Sequence, residues 1–114
     1  MKKALVTLDL DHVASRFDLT AEVWIGQVGP DSSPKGKTLV LSSASADELC
    51  KLILTEKAEI VVTGAIEYKF YDYLEWKGVT VYDSVVGHLD AVVEALDAET
   101  LTQGDILDFE AKAL

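Results

Sequence analysis

The chain has little of what several classes of function require. It contains one cysteine and two histidines, and neither a C-x-x-C nor an H-x-x-x-H spacing occurs. One cysteine cannot form an internal disulfide, which agrees with a reducing compartment, and no closed zinc site is predicted. No apolar tract is long enough to cross a bilayer. Asp9 and Asp11 interrupt the first apolar run too early for a signal peptide, so we expect a cytoplasmic protein.

Basic residues are also scarce. Ten Lys and Arg residues stand against twenty Asp and Glu residues, which gives a formal net charge of −10. Nucleic-acid binding depends mainly on Lys and Arg side chains that neutralise phosphates, and no patch of such residues is present in the sequence. We therefore expect neither nucleic acids nor anionic membranes as partners.

What is present is organised around residues 59–96. Two short β-branched runs, residues 60–62 and 79–82, flank an aromatic-rich segment that ends at Trp76. Apolar residues then recur at helical spacing, at Leu89, Val92, Val93 and Leu96. The pattern predicts strand, helix, strand, helix, and strands joined through a helix should lie parallel. Both helices then begin at the carboxyl edge of the sheet, where ligands usually bind in α/β folds.

The remaining residues complete a three-layer domain. Apolar or alternating patterns predict three further strands, over residues 3–8, 21–28 and 38–41. Residues 29–37 have a turn composition, and Ser45 with Glu48 three positions later predicts the start of a helix. The first three strands follow one another without helices, so the five-stranded sheet should be mixed. With three helices, this predicts an α/β/α domain over residues 1–101 and an acidic tail over residues 102–114.

Three side chains are candidate metal ligands. His88 lies where the last helix begins, at the predicted ligand-binding edge. His12 could reach the same edge if the first strand runs parallel to the later ones, although either histidine could equally lie on the surface without a ligand. Cys50 falls on the apolar face of its helix, which is more typical of a core residue.

The stretch Thr63-Gly64-Ala65-Ile66-Glu67 joins a predicted strand to a predicted helix. A glycine there lets the backbone approach a ligand closely, and a helix N-terminus offers N–H groups to an anion. The alternative is that Gly64 only makes the turn. Gly87 precedes the next helix in a similar way.

Two catalytic alternatives centre on Asp9. The spacing of Asp9 and Asp11 resembles that of haloacid-dehalogenase-type phosphatases, which use a nucleophilic carboxylate, an acid/base carboxylate and Mg²⁺. The only later candidate for their further carboxylates, residues 104–108, does not follow a predicted strand. A ribonuclease-H-like nuclease would instead use Asp9 with Glu48 and Asp83 to hold two metal ions, but the net charge opposes the binding of a polyanion.

A third alternative is an interaction module without a cofactor. Large side chains crowd the helix after the turn: Tyr68, Phe70, Tyr71, Tyr73, Leu74 and Trp76. A core-facing stripe accommodates Phe70, Tyr73 and Leu74 together with Ile66. Some of the other aromatic residues are left for a cleft wall or a subunit contact, so a homodimer is one expectation.

Residues 59–96 resemble the core of the dinitrogenase iron–molybdenum cofactor biosynthesis family. These are small NifX- and NafY-like cluster-binding proteins, which are also found as the C-terminal part of NifB. The shared pattern is an apolar strand, a Gly-containing turn, a helix, Lys-Gly-Val, a second strand, and then Gly and a helix. Residues 15–18, Ser-Arg-Phe-Asp, match the family's Arg-Phe-Gly stretch. Ala65 and Asp18 each replace a glycine of the family pattern.

The resemblance implies a ribonuclease-H-like fold without nuclease activity. It implies a non-enzymatic protein that binds or carries an iron–sulfur or molybdenum–iron–sulfur cluster, or a precursor, and that exchanges it with donor and acceptor proteins. Such a cluster is an anion and suits an edge lined with helix N-termini. The implied cofactor-binding residues are Arg16, Phe17, Thr63, Gly64, Ala65, Ile66, Gly87 and His88. Direct metal ligation would fall to His88 or, failing that, to His12 or Cys50.

Overall fold

The computed structural model describes residues 2–30 and 35–107. The strands are β1 (Lys2–Asp9), β2 (His12–Val13), β3 (Glu22–Val28), β4 (Lys35–Val40), β5 (Ile60–Val62), β6 (Thr80–Tyr82), β7 (Val86–Gly87) and β8 (Ile106–Leu107). The helices are α1 (Ala46–Thr55), α2 (Tyr68–Trp76) and α3 (Leu89–Asp97), and a 3₁₀ turn covers Phe17–Leu19. Within the described ranges no helix is long and apolar enough to span a membrane.

The main sheet has the strand order β4-β3-β1-β5-β6, with β2 folded back onto the end of β1. Strand β3 is antiparallel to β1 and to β4, whereas β5 and β6 run parallel to β1. The predicted mixed sheet is therefore confirmed. Because β1 is parallel to β5, its carboxyl end lies at the edge where the connections to α2 and α3 begin.

Side chains on the two faces of the sheet form two separate cores. The period-2 alternation of β1 directs Leu5 to one face and Ala4 and Val6 to the other. Helices α1 and α2 cover the Leu5 face with buried residues such as Leu49 and Leu74. Helix α3 covers the opposite face, mainly through Val92 and Leu96. This arrangement confirms the three-layer α/β/α fold.

The sequence predicts the first residues of some helices better than those of others. Helix α1 begins as expected, and Ser45 Oγ accepts a hydrogen bond from the Glu48 amide at 3.3 Å. Helix α2 begins only at Tyr68, so Gly64 lies in a connection and not at the helix N-terminus. Helix α3 begins at Leu89 directly after His88.

Short strands extend the fold beyond the predicted elements. Strand β4 begins at residue 35 and not at residue 38, because its ladder with β3 continues through Gly36. Strand β8 pairs in parallel with β7, so the first part of the predicted tail packs onto the domain. Residues 31–34 of the predicted turn and residues 108–114 of the tail lie outside the described residues.

Candidate functional site

A tight hairpin at the carboxyl end of β1 shapes the candidate site. Strand β1 pairs with β2 so that Asp9 lies opposite His12, and only Leu10 and Asp11 make the turn. Leu10 has a φ of 56° and is 82% exposed. Leucine rarely adopts this backbone conformation, so the sequence carries no signal for the turn. The hairpin returns His12 to the edge of the sheet.

His12 and His88 meet at this edge. Their backbones form an isolated antiparallel bridge, and the Leu89 amide donates a hydrogen bond to the Asp11 carbonyl at 2.8 Å. The two imidazole rings contact each other edge to face, with centroids 5.3 Å apart and an interplanar angle of 75°. The structure thus brings together the two histidines, of which the sequence placed His88 at this edge and His12 there only if β1 ran parallel to the later strands.

The two rings differ in their hydrogen bonds. His88 Nδ1 accepts a hydrogen bond from the Asp90 amide at 3.2 Å and so caps α3. A neutral ring with this bond carries its proton on Nε2, so metal ligation by His88 requires either loss of the cap or loss of that proton. The His12 side chain is exposed, and no hydrogen bond from the described residues reaches its ring. His12 is therefore the more accessible ligand, whereas the sequence favoured His88.

The turn after β5 is clamped to the segment that follows β2. The Gly64 amide donates to the Ala14 carbonyl at 3.0 Å, and the Ala65 amide donates to the Ser15 carbonyl at 2.8 Å. In return, the Phe17 amide donates to the Ala65 carbonyl at 2.9 Å. The sequence analysis considered N–H groups in this stretch as donors to an anion. In the structure the Gly64 and Ala65 amides already donate to backbone carbonyls of the protein. Gly64 permits a close approach, but the approaching group is the protein's own backbone.

Arg16 forms a two-point ion pair with Asp18. The Nε–Oδ1 distance is 3.0 Å and the Nη2–Oδ2 distance is 2.6 Å. The hydrogen bond and the charge of Asp18 raise the pKa of Arg16, and the same hydrogen bond lowers the pKa of Asp18. Asp18 thus neutralises the positive charge of Arg16.

Three other predicted site residues pack inside the domain. Phe17 is buried and contacts Phe70 at a centroid distance of 6.0 Å. Thr63 is buried, and its hydroxyl accepts a hydrogen bond from the Thr7 hydroxyl at 2.9 Å. Ile66 is partly buried against the same core. Phe17 and Thr63 are therefore enclosed by the protein and are not exposed at the edge of the sheet.

Gly87 and Cys50 are also packed against other parts of the domain. A Cβ atom at Gly87 would lie 2.8 Å from Cβ of Leu107, so glycine permits the contact between β7 and β8. Cys50 belongs to α1 and is buried in the core on the face of the sheet opposite α3. It therefore lies away from the histidine pair. Burial raises the pKa of its thiol to about 11.

Carboxylates do not converge into a metal site in the part of the chain that the structure describes. Asp9 and Asp11 are both exposed, and Glu48 lies in the first turn of α1. Residues 2–30 and 35–107 contain no group of three or more His, Cys, Asp or Glu side chains that could hold a metal ion. The ligand sets that the phosphatase and nuclease alternatives need are not assembled there, and Asp108 lies outside the described residues.

Comparison with known proteins gives the fold. Neither a family model nor a curated protein matches the sequence. Among solved structures, PH0822 is similar with a TM-score of 0.79 and 17% identity, over 98% of this chain and 99% of that protein. A candidate NifB protein from Thermotoga, TM1290 of the DUF35 family, has a TM-score of 0.69 and 16% identity, over 93% and 97% of the two chains. A candidate dinitrogenase from Methanocaldococcus jannaschii, MJ0327, has a TM-score of 0.71 and 17% identity, over 89% and 92%. At these identities the similarity shows the fold alone: the chain has an architecture that nitrogenase-related proteins also carry.

Proposed function

We propose that the protein is a non-enzymatic carrier of an iron–sulfur or molybdenum–iron–sulfur cluster, or of a precursor of one. The cargo is held at the carboxyl edge of the main sheet and passes between a donor and an acceptor protein in the assembly of a nitrogenase-type cofactor. His12 is the first protein ligand in this proposal, and His88 is the second.

The contact between the His12 and His88 rings is the observation that carries the proposal. Imidazole is a suitable ligand for iron, and the two rings come from separate segments that meet at the exposed edge. A metal–sulfide cargo already has sulfide ligands on most metal positions. Two protein ligands can therefore tether it without the closed ligand set of a resident metal site.

The fold supports the same proposal, and the charge bears on how tightly the cargo is held. Solved structures named as a candidate NifB protein and a candidate dinitrogenase share the architecture. The net charge of −10 repels an anionic cargo, which favours weak holding and ready transfer over permanent binding. Arg16 lies on the segment beside the turn after β5 and offers a compensating positive charge once it leaves Asp18.

Anaerobic reconstitution tests the proposal. The purified protein is incubated with ferrous iron and sulfide or, separately, with tetrathiomolybdate, and metal content and visible absorption are then measured. We expect loading of the wild type with a sulfur-to-metal charge-transfer band. His12→Ala should lower loading strongly, and so should His88→Asn, because asparagine keeps a capping oxygen for the Asp90 amide but removes the imidazole.

Cys50→Ala is the matched control and should load as the wild type does, because Cys50 is buried away from the histidines. Ligation through His88 Nδ1 should also shift the amide NMR signal of Asp90, since the cap is then lost. A protein that takes up no metal, or a His12→Ala/His88→Asn double variant that loads normally, would overturn the proposal.

A further inference from the structure

The two edges of the main sheet are built differently. Strand β6 forms one edge, and the N–H and C=O groups of Val81 face away from its neighbour β5. Glu75 Oε2 accepts a hydrogen bond from the Val81 amide at 3.4 Å, and Gln103 Nε2 donates one to the Val81 carbonyl at 3.1 Å. Side chains of the same protein thus seal this edge against another strand.

Strand β4 forms the opposite edge, where the described residues provide no such seal. The Leu41 amide donates to the Ala21 carbonyl at 2.7 Å, and the antiparallel register then directs the backbone groups of Gly36, Thr38 and Val40 away from β3. Within the described ranges, no side chain bonds to these outward N–H and C=O groups. They form an open row of donors and acceptors.

One face of β4 carries an exposed apolar side chain at one position and a glycine at another. Val40 is 76% exposed. At Gly36 a Cβ atom would lie 2.1 Å from the indole of Trp24, so the ring covers the glycine. A groove of about 420 Å³ beside Gly36 includes the apolar residues Trp24, Leu89 and Val93. The same strand therefore carries an exposed apolar side chain and, four residues away, borders a groove lined by apolar and acidic residues.

We propose that β4 pairs in antiparallel fashion with β4 of a second copy of this chain, which joins the two sheets across a two-fold axis. In a register centred on Thr38, Thr38 faces its own counterpart and Gly36 faces Val40 of the second copy. Each Val40 then contacts the Trp24 indole of the other copy. The same contact is made twice, once by the Val40 side chain of each copy, as two-fold symmetry requires.

The strand itself carries no negative charge, although Asp90, Glu94 and Asp97 line the adjacent groove. A net charge of −10 opposes the association of two copies, but residues 36–41 contain no acidic residue. The proposed register places Lys37 opposite Leu39 of the second copy, so the two lysines do not face each other directly. Thr38 facing Thr38 is a favourable cross-strand pair.

Sedimentation equilibrium of the purified full-length protein tests the proposal. We expect the wild type to dimerise, with a mass twice the 12.4 kDa of the chain at high concentration. Thr38→Pro should weaken dimerisation about tenfold to a hundredfold, because it removes one N–H donor from each copy. The monomer should tolerate proline, since this N–H faces away from β3. Lys37→Thr, on the same strand but with its side chain on the other face, is the matched control and should dimerise normally.

A second variant and hydrogen exchange test the same edge without proline. Val40→Asp should also abolish the dimer, because it places a carboxylate at a groove that includes Asp90 and Glu94. In the wild type, the amides of Gly36, Thr38 and Val40 should exchange slowly at high concentration and quickly on dilution. The amides of Lys37 and Leu39, which bond to β3, should stay protected throughout.

Several results would overturn the proposal. One is a wild type that stays monomeric up to about 1 mM, which would leave the β4 edge to a strand of another protein. The others are a dimer that persists in both Thr38→Pro and Val40→Asp, and edge amides whose exchange does not depend on concentration.

Discussion

The amide of Gly64 donates a hydrogen bond to the carbonyl oxygen of Ala14 at 3.0 Å, and this bond fixes the connection after β5 to the segment after β2. The neighbouring bond from Ala65 to Ser15 continues the contact, and Arg16 forms an isolated parallel bridge with Ala65. The position of the Arg16 backbone at the edge therefore depends on the absence of a side chain at residue 64.

We expect Gly64→Ala to lower the free energy of unfolding by about 2–3 kcal/mol. The added Cβ would lie 2.4 Å from the Ser15 carbonyl oxygen and 2.5 Å from that of Ala14, and these backbone atoms cannot move without loss of the clamp. Urea denaturation followed by circular dichroism measures the change.

Gly78→Ala is the control for this variant. Gly78 has a φ of 86°, and nothing lies within 4 Å of a Cβ atom placed there. This substitution should cost about 1 kcal/mol from backbone strain alone. Equal losses in the two variants would show that the clamp contributes nothing to stability.

The hydroxyl groups of Thr7 and Thr63 should be energetically coupled. Both residues are fully buried, and Thr7 Oγ1 donates to Thr63 Oγ1 at 2.9 Å. We expect Thr7→Val and Thr63→Val each to destabilise the fold by about 1–2 kcal/mol, because each leaves the other hydroxyl without this partner. Thr63→Val should be the milder change, since the Thr7 hydroxyl also lies 3.5 Å from the Val62 carbonyl.

A double-mutant cycle from urea denaturation measures this coupling. The double variant removes both polar groups, so it should cost clearly less than the sum of the single changes, with a coupling energy of about 1 kcal/mol. Strictly additive losses would mean that the hydrogen bond is not formed in solution.

The main elements of the fold could be predicted because they are long enough to show a period. An apolar run located β1, alternation located β3, and helical spacing located α1 and α3. Strands β2, β7 and β8 are two residues long and carry no period, because they depend on pairing between distant segments. The sequence predicts the start of β4 at residue 38 and not at residue 35, because Gly36 is typical of a turn. The Trp24 ring that covers Gly36 explains why a glycine lies within the strand.

The candidate site could be predicted in position but not in detail. Parallel topology was enough to place His12 and His88 at one edge. Their ring contact depends on the turn at Leu10, whose residue type does not suit its φ of 56°. The bond from the Asp90 amide to His88 depends on where α3 begins, and helix boundaries are poorly determined by sequence.

Cys50 should be almost unreactive in the native protein. Burial and, secondarily, the charge of Asp47 raise the pKa of its thiol from 9.0 to about 11. At pH 8 the thiolate fraction should therefore be roughly a hundredfold smaller than in the unfolded chain. Alkylation by iodoacetamide, followed by mass spectrometry with and without urea, checks this.

The raised pKa of Cys50 also gives a sign for the pH dependence of stability. The folded state holds the thiol proton more tightly, so this contribution is complete below pH 9 and is lost as the pH rises towards 11. Rapid labelling of the native protein at pH 8 would contradict the buried position of the thiol.

The ion pair between Arg16 and Asp18 should limit the binding of anions at the candidate site. We expect Asp18→Asn to release the Arg16 guanidinium and to raise the affinity for tetrathiomolybdate, a dianion, about threefold to tenfold. Isothermal titration calorimetry at fixed ionic strength and pH 8 measures this affinity. Arg16→Gln in the Asp18→Asn background should remove the gain, because the guanidinium is then absent.

Glu67→Gln separates this effect from a general loss of negative charge. Glu67 also acts on Arg16 through its charge, but it is a weaker influence than Asp18 and forms no hydrogen bond to the guanidinium. Its removal should therefore raise the affinity less than Asp18→Asn does. The hydrogen bond from Arg16 lowers the pKa of Asp18, so the pair persists above the ordinary carboxyl range and breaks as the pH falls through the lowered value. Equal gains from Glu67→Gln and Asp18→Asn would mean that net charge, and not the release of Arg16, controls anion binding at this edge.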